Sequence, residues 1–135
     1  MLSTNFLRAA LARGFASKTL KSYSFDEIKT LVKEPNPSKV LVDVREPAEL
    51  KQYTLPNSIN LPLKTYPGAL SLPPNEFQEI FGMEKPSTEK ELIFFCAGGM
   101  RAQAAQELAS SYGYENTSVW PGSINEWLAK GGDKL

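Results

Sequence analysis

Histidine is absent from the 135 residues, and cysteine occurs once, at Cys96. Without histidine there can be no Cys-His dyad, no Ser-His-Asp triad and no His-ligated zinc site. A lone cysteine cannot close an internal disulfide, which fits a reducing compartment. No apolar run approaches the roughly 20 residues that cross a bilayer, so no membrane partner is expected. Excess charge is missing too, with 15 Lys and Arg against 15 Asp and Glu. In the absence of a basic patch interleaved with aromatics, nucleic acid is not an expected partner either. No cofactor and no metal are called for. The ten prolines and nine glycines are scattered as turn punctuation and mark no low-complexity stretch. These absences leave one globular domain, long enough to bury its own core.

One further absence is local. Met1 to Phe25 carry Arg8, Arg13, Lys18 and Lys21 but no acid; the first carboxylate is Asp26. Leu2, Phe6, Ala10 and Arg13 recur at near-helical spacing, with serines between. That composition predicts a mitochondrial transit peptide over residues 1–15, with a cut after Phe15 or anywhere up to about residue 21. Losing Arg8 and Arg13 would leave 13 bases against 15 acids, a net charge of −2.

Beyond Lys21, apolar runs alternate with helical patterns. Ser24-Phe-Asp-Glu27 is a capping-box pattern opening a helix whose apolar face is Ile28, Leu31 and Val32. Val40–Val44 reads as a buried parallel strand. A short helix is expected from Pro47 to Tyr53, and a strand over Ser58–Leu61. Pro73-Pro74 should open a helix through Phe81. Lys85–Glu89 is a polar connection to Glu91–Cys96, the most apolar strand candidate. The helix after it carries Ala105, Leu108, Ala109 and Tyr112 on one face and stops at Gly113. Thr117–Trp120 is a last strand. Ser123-Ile-Asn-Glu126 looks like a second capping box, leading a helix to Gly131-Gly132. Alternation of this kind predicts an α/β domain, a mainly parallel sheet with helices on both faces.

Ligands of such sheets gather beyond the carboxyl ends of the strands, where Cys96 is expected. Ala97, Gly98 and Gly99 after it lack bulk, so their amides can curl around an anion. Met100 and Arg101 open the next helix, whose free N–H groups favour negative charge. These features stabilise a thiolate at Cys96, or an anion against it, and make it a candidate nucleophile. Asp43, ending a strand, could accept from loop amides. Arg45 could face the cleft or pair with Glu49 four residues on.

Several segments together resemble the rhodanese family. Val42-Asp-Val-Arg-Glu-Pro-Ala-Glu49 resembles its first signature, Asp-x-Arg-x-x-x-Glu. Leu55–Pro62 resembles its His-Ile-Pro-Gly-Ala-Ile-Asn-Ile-Pro segment, with Tyr53-Thr54 in place of the usual Gly-His and Asn57 in place of the glycine. Phe95–Arg101 resembles the active-site loop, and Trp120–Trp127 the carboxyl-terminal signature. The likeness spans residues 22–132 and is strongest to small fungal mitochondrial members. Only four residues separate Cys96 from Arg101, one fewer than in tyrosine phosphatase loops. The shorter cradle suits a terminal sulfur rather than a phosphate.

The resemblance implies a sulfurtransferase, with Cys96 carrying a persulfide between donor and acceptor. It implies that Ala97, Gly98, Gly99, Met100, Arg101 and Arg45 bind the donor, with Asp43 in support. Implied partners are thiosulfate or glutathione persulfide as donor and cyanide or thiols as acceptor. The oligomeric state stays open between monomer and weak dimer. Three alternatives stand beside this reading: a phosphatase or arsenate reductase of the related fold, a non-catalytic binding module, and a persulfide relay to another protein.

Overall fold

The computed structural model describes residues 21–135, so the expected targeting segment at residues 1–15 lies outside the described residues. Five strands form one sheet: β1 (Lys21–Ser22), β2 (Lys39–Asp43), β3 (Ser58–Asn60), β4 (Glu91–Phe95) and β5 (Thr117–Val119). Their order is β1-β5-β4-β2-β3, and every pairing is parallel. The helices are α1 (Phe25–Lys33), α2 (Pro47–Leu50), α3 (Pro74–Phe81), α4 (Met100–Ser111) and α5 (Ser123–Ala129), with 3-10 turns at Ala69–Ser71 and Gly132–Lys134.

Local chemistry explains most of these boundaries. The Ser24 hydroxyl accepts the Glu27 N–H at 3.2 Å while the Glu27 carboxylate accepts the Ser24 N–H at 2.9 Å, completing the expected capping box of α1. Pro74 opens α3, and Gly82, left-handed at φ 71°, ends it. α2 is shorter than the expected Pro47–Tyr53. The Thr54 hydroxyl takes the Leu50 carbonyl at 2.8 Å, and Arg45 takes the Tyr53 carbonyl at 2.8 Å, so the next turn has other partners. Asn57 adopts φ 62°, a left-handed conformation that asparagine tolerates, and its side-chain amide donates to the Val32 carbonyl. β1 is polar and two residues long, with no periodicity to announce it; pairing with β5 creates it.

Alternation along the strands splits the core in two. Val42, Val44, Leu92, Phe94 and Cys96 point to the face covered by α3 and α4. Leu41, Ile93, Phe95 and Trp120 point to the other, where Ile28 of α1 and Ile124 and Trp127 of α5 pack. Helices therefore lie on both faces, as expected. Each such large apolar side chain contributes about 1.5–3 kcal/mol by leaving water. The two layers fix β4 rigidly between β2 and β5, and the chain leaves that strand at Cys96.

Candidate active site

The loop after β4 is held by its neighbours on both sides. Val44 N–H donates to the Phe95 carbonyl at 3.0 Å, and Trp120 N–H to the Phe94 carbonyl at 2.9 Å. Cys96 N–H donates to the Ser123 hydroxyl oxygen at 3.0 Å, and that hydroxyl donates to the Trp120 carbonyl at 2.9 Å. The same oxygen lies 4.0 Å from Cys96 Sγ. Ser123 is fully buried and left-handed at φ 55°. It is therefore not the helix cap expected from the sequence: its hydroxyl pins the cysteine backbone instead of the α5 amides. Backbone strain of this kind, costing on the order of 1–3 kcal/mol, collects at functional sites.

The amino end of α5 also sets which way the loop peptides face. Ile124 N–H donates to the Cys96 carbonyl at 3.1 Å, and Asn125 N–H to the Ala97 carbonyl at 3.0 Å. A trans peptide points its carbonyl and its following N–H in opposite directions. With both carbonyls turned to α5, the N–H groups of Ala97 and Gly98 face the other way, and neither has an acceptor among the described residues. Gly99 N–H donates to Cys96 Sγ at 2.9 Å. The first-turn N–H groups of α4, from Met100, Arg101 and Ala102, have no carbonyl of their own helix to meet and no side-chain cap at Gly99. Of these donors, the Gly99 N–H is the one in contact with the sulfur.

Gly99 has no substitute in this arrangement. Its φ is 108°, and a Cβ there would stand 2.6 Å from the Pro121 carbonyl oxygen. Gly98 differs: a Cβ would meet only the Asn125 amide at 3.4 Å. Cys96 itself is 1% exposed, at the floor of the loop, whereas Met100 on the rim is 88% exposed.

Arg101 comes from the first turn of α4 and meets Glu49 of α2. The fork is bidentate, Nη1 to Oε2 at 2.7 Å and Nη2 to Oε1 at 2.9 Å. Glu46 N–H also donates to Glu49 Oε2 at 2.9 Å. The Arg101 hydrogen bonds pull the Glu49 carboxyl down to about 2, helped by that amide and opposed by partial burial. In return Glu49 raises the Arg101 guanidinium, and the nearby Cys96 adds to the effect.

One expectation, that for Arg45, needs correction. Arg45 does not face the cleft: it is 3% exposed, and its guanidinium closes on Asp43, with Nη2 to Oδ2 at 2.8 Å and Nε to Oδ1 at 3.1 Å. Its remaining bonds reach the carbonyls of Tyr53 and Glu49, and it makes no ion pair with the Glu49 side chain. Asp43 is fully buried and accepts the Arg45 N–H, an amide of the loop after its strand, at 2.9 Å, together with the Arg45 guanidinium. A fully desolvated charge needs an immediate partner, and residue 45 supplies it. The pair anchors α2, which carries Glu49. Thus Cys96 and Ala97–Arg101 come together, while Asp43 and Arg45 stand one layer behind.

Sequence reasoning did not place Glu49 or Ser123 at the site. Glu49 did carry a signal, an acid in the first-signature segment able to match the arginine of the loop. Ser123 carried none, because its spacing imitates a cap. An apolar cleft between α4 and the Ala69 turn, lined by Val44, Leu61, Tyr66, Phe94 and Leu108, does not include Cys96.

The family described as rhodanese-like domain matches residues 24–130. A protein of Saccharomyces cerevisiae named thiosulfate sulfurtransferase RDL2, mitochondrial, is 58% identical over 120 residues, 89% of this chain and 80% of its own length. Another from the same yeast, named thiosulfate:glutathione sulfurtransferase, is 51% identical over 116 residues, 86% of this chain and 84% of its own. The crystal structure of the yeast single-domain sulfurtransferase RDL2 superposes with a TM-score of 0.85 at 57% identity, covering 87% of this chain and 96% of that one.

Proposed function

The chain belongs to the rhodanese-like domain family, and on that premise we propose that it is a sulfurtransferase working through a persulfide on Cys96. The observation that carries this is the loop geometry: Cys96 Sγ lies under the Gly99 N–H while the Ala97 and Gly98 donors point away from their tethered carbonyls. Such donors stabilise negative charge on sulfur without any imidazole.

The Cys96 thiolate attacks the outer sulfur of thiosulfate or of a persulfide such as glutathione persulfide. A bond forms between Sγ and that sulfur, the donor's S–S bond breaks, and its electron pair leaves with sulfite or with the donor thiolate. The terminal sulfur, now carrying the charge, rests among the amides of Ala97 to Arg101. An acceptor thiolate, or cyanide, then attacks the terminal sulfur. The Sγ–S bond breaks, and its electron pair returns Cys96 to the thiolate. Arg101 and Glu49 keep the loop's entry into α4 in register, and Arg45 with Asp43 supports α2 from behind.

The setting follows the same relatives. Residues 1–15 act as a transit peptide, residues 22–132 form the working domain, and the protein operates in mitochondria, in the matrix. The acid-free amino terminus and the mitochondrial name of the 58% identical yeast protein support this.

The experiment is a mass measurement. Protein treated with thiosulfate should gain one sulfur, roughly 32 Da, and Cys96→Ser should gain none. Cys96-dependent hydrolysis of an aryl phosphate with no mass gain would replace the reading with a phosphatase.

A further inference from the structure

We propose that Glu49 sets which donors the Cys96 loop accepts, by occupying both terminal nitrogens of Arg101 and cancelling the charge that would draw in doubly anionic donors. The inference rests on the sulfurtransferase reading above. Arg101 is the cation nearest the loop in sequence, yet each of its terminal nitrogens is engaged by a Glu49 oxygen, at 2.7 and 2.9 Å, so its charge is already paired. Planar fork against planar carboxylate is the arrangement least easily exchanged for another anion.

Glu49 is not a loose surface acid. Its Oε2 also accepts the Glu46 N–H at 2.9 Å, and its own carbonyl accepts Arg45 Nη1 at 3.4 Å. Arg45 is in turn locked on buried Asp43. Turning the carboxylate away therefore costs the Glu46 amide bond as well as both Arg101 bonds. Seen from an approaching donor, the pair sums to zero charge, and the loop's attraction comes from peptide dipoles, which act at close range. A donor with one negative charge meets the same amides as a donor with two. Glu49 is thus a positioning residue that evens out donors of different charge.

Glu49→Gln keeps the size and one acceptor for Arg101 but leaves its positive charge uncancelled. The test uses the purified full chain and two donors of the same sulfur, thiosulfate with two negative charges and benzenethiosulfonate with one. In the variant, the kcat/KM ratio of thiosulfate to benzenethiosulfonate should rise about fivefold at low ionic strength, carried by the KM for thiosulfate. Most of that rise should vanish near 0.5 M salt, where screening acts within about 4 Å. Glu49→Asp, which keeps the charge, should hold the wild-type ratio even if it slows both donors. Equal change for both donors in Glu49→Gln, or a raised ratio in Glu49→Asp, would overturn the proposal.

Should the Gln variant fail to fold, the wild type carries the test. Its kcat/KM for thiosulfate should change less than about twofold between ~20 and ~200 mM salt; a steep fall would reveal an uncancelled cation and refute the role of Glu49. Failure of both donors to sulfurate wild-type Cys96 would remove the sulfurtransferase reading itself, before any variant is made.

Discussion

The two ends of the central sheet use similar residues to opposite effect. At the amino end, Glu91 and Lys39 begin the paired strands β4 and β2 and are tied into a closed cluster. Glu91 Oε2 accepts from the Tyr23 hydroxyl at 2.8 Å and the Ser118 hydroxyl at 2.7 Å, while Lys39 Nζ donates to the Tyr23 oxygen at 3.1 Å and lies 3.6 Å from the carboxylate. The Tyr23 bond first, then the charge of Glu91, hold the Lys39 ammonium above its ordinary range. At the carboxyl end, Asp43–Arg45 and Glu49–Arg101 are just as well paired, but the backbone between Cys96 and Met100 keeps open donors. No buried side-chain nitrogen or oxygen among the described residues lacks a partner. In the loop, by contrast, the Ala97 and Gly98 N–H groups have no acceptor among the described residues. One end is saturated and stabilises; the other is left open and can bind.

Breaking the closed end should cost stability and nothing else. Glu91→Ala removes the acceptor of two hydroxyls and uncovers Lys39, for a loss of about 3 kcal/mol in urea unfolding. The kcat/KM of the remaining folded protein should stay within twofold, since Glu91 lies at the far end of β4 from Cys96. A large fall in kcat/KM with stability intact would mean the two ends are coupled.

The open end should respond in both measurements. Gly99→Ala must strain a φ of 108° and push against the Pro121 oxygen, costing about 2 kcal/mol. Because the Gly99 N–H reaches Cys96 Sγ, the displacement should also lower kcat/KM on the order of 100-fold. Gly98→Ala, whose Cβ finds only a 3.4 Å contact, should change stability by less than about 0.5 kcal/mol. Equal destabilisation by the two would show that the loop does not depend on the Pro121 contact.

Legibility followed the same division. The parallel sheet, its helices on both faces and the place of Cys96 could be read because apolar runs and turn residues are local signals. Ion pairing was harder. Asp43 and Arg45 are two residues apart, yet helix spacing suggested Glu49 as the partner of Arg45, because a buried strand end is not a helix face. The true partner of Glu49 is Arg101, 52 residues away, a distance that only the fold closes. Ser123 misled for a related reason: its left-handed backbone is imposed by packing under Cys96, and no neighbour in sequence announces it.

The finest distinction between the ends lies in acid. Glu49 is held at about 2 in the folded protein, against an ordinary 4.5. A carboxylate depressed by folding contributes stability that is fully present above its unfolded value and is lost as pH falls through its folded one. The window for Glu49 therefore runs from about 4.5 down to about 2. Its side chain is 34% exposed and that of Arg101 is 24% exposed, so solvent screening reduces the contribution to about 1 kcal/mol. Urea unfolding of the wild type and of Glu49→Gln should differ by that amount above pH 5 and converge as the acid window is crossed. A difference that stays constant down to pH 2 would mean that the Glu49–Arg101 bond is equally strong with the carboxyl protonated, and that its charge contributes nothing to the open end of the sheet.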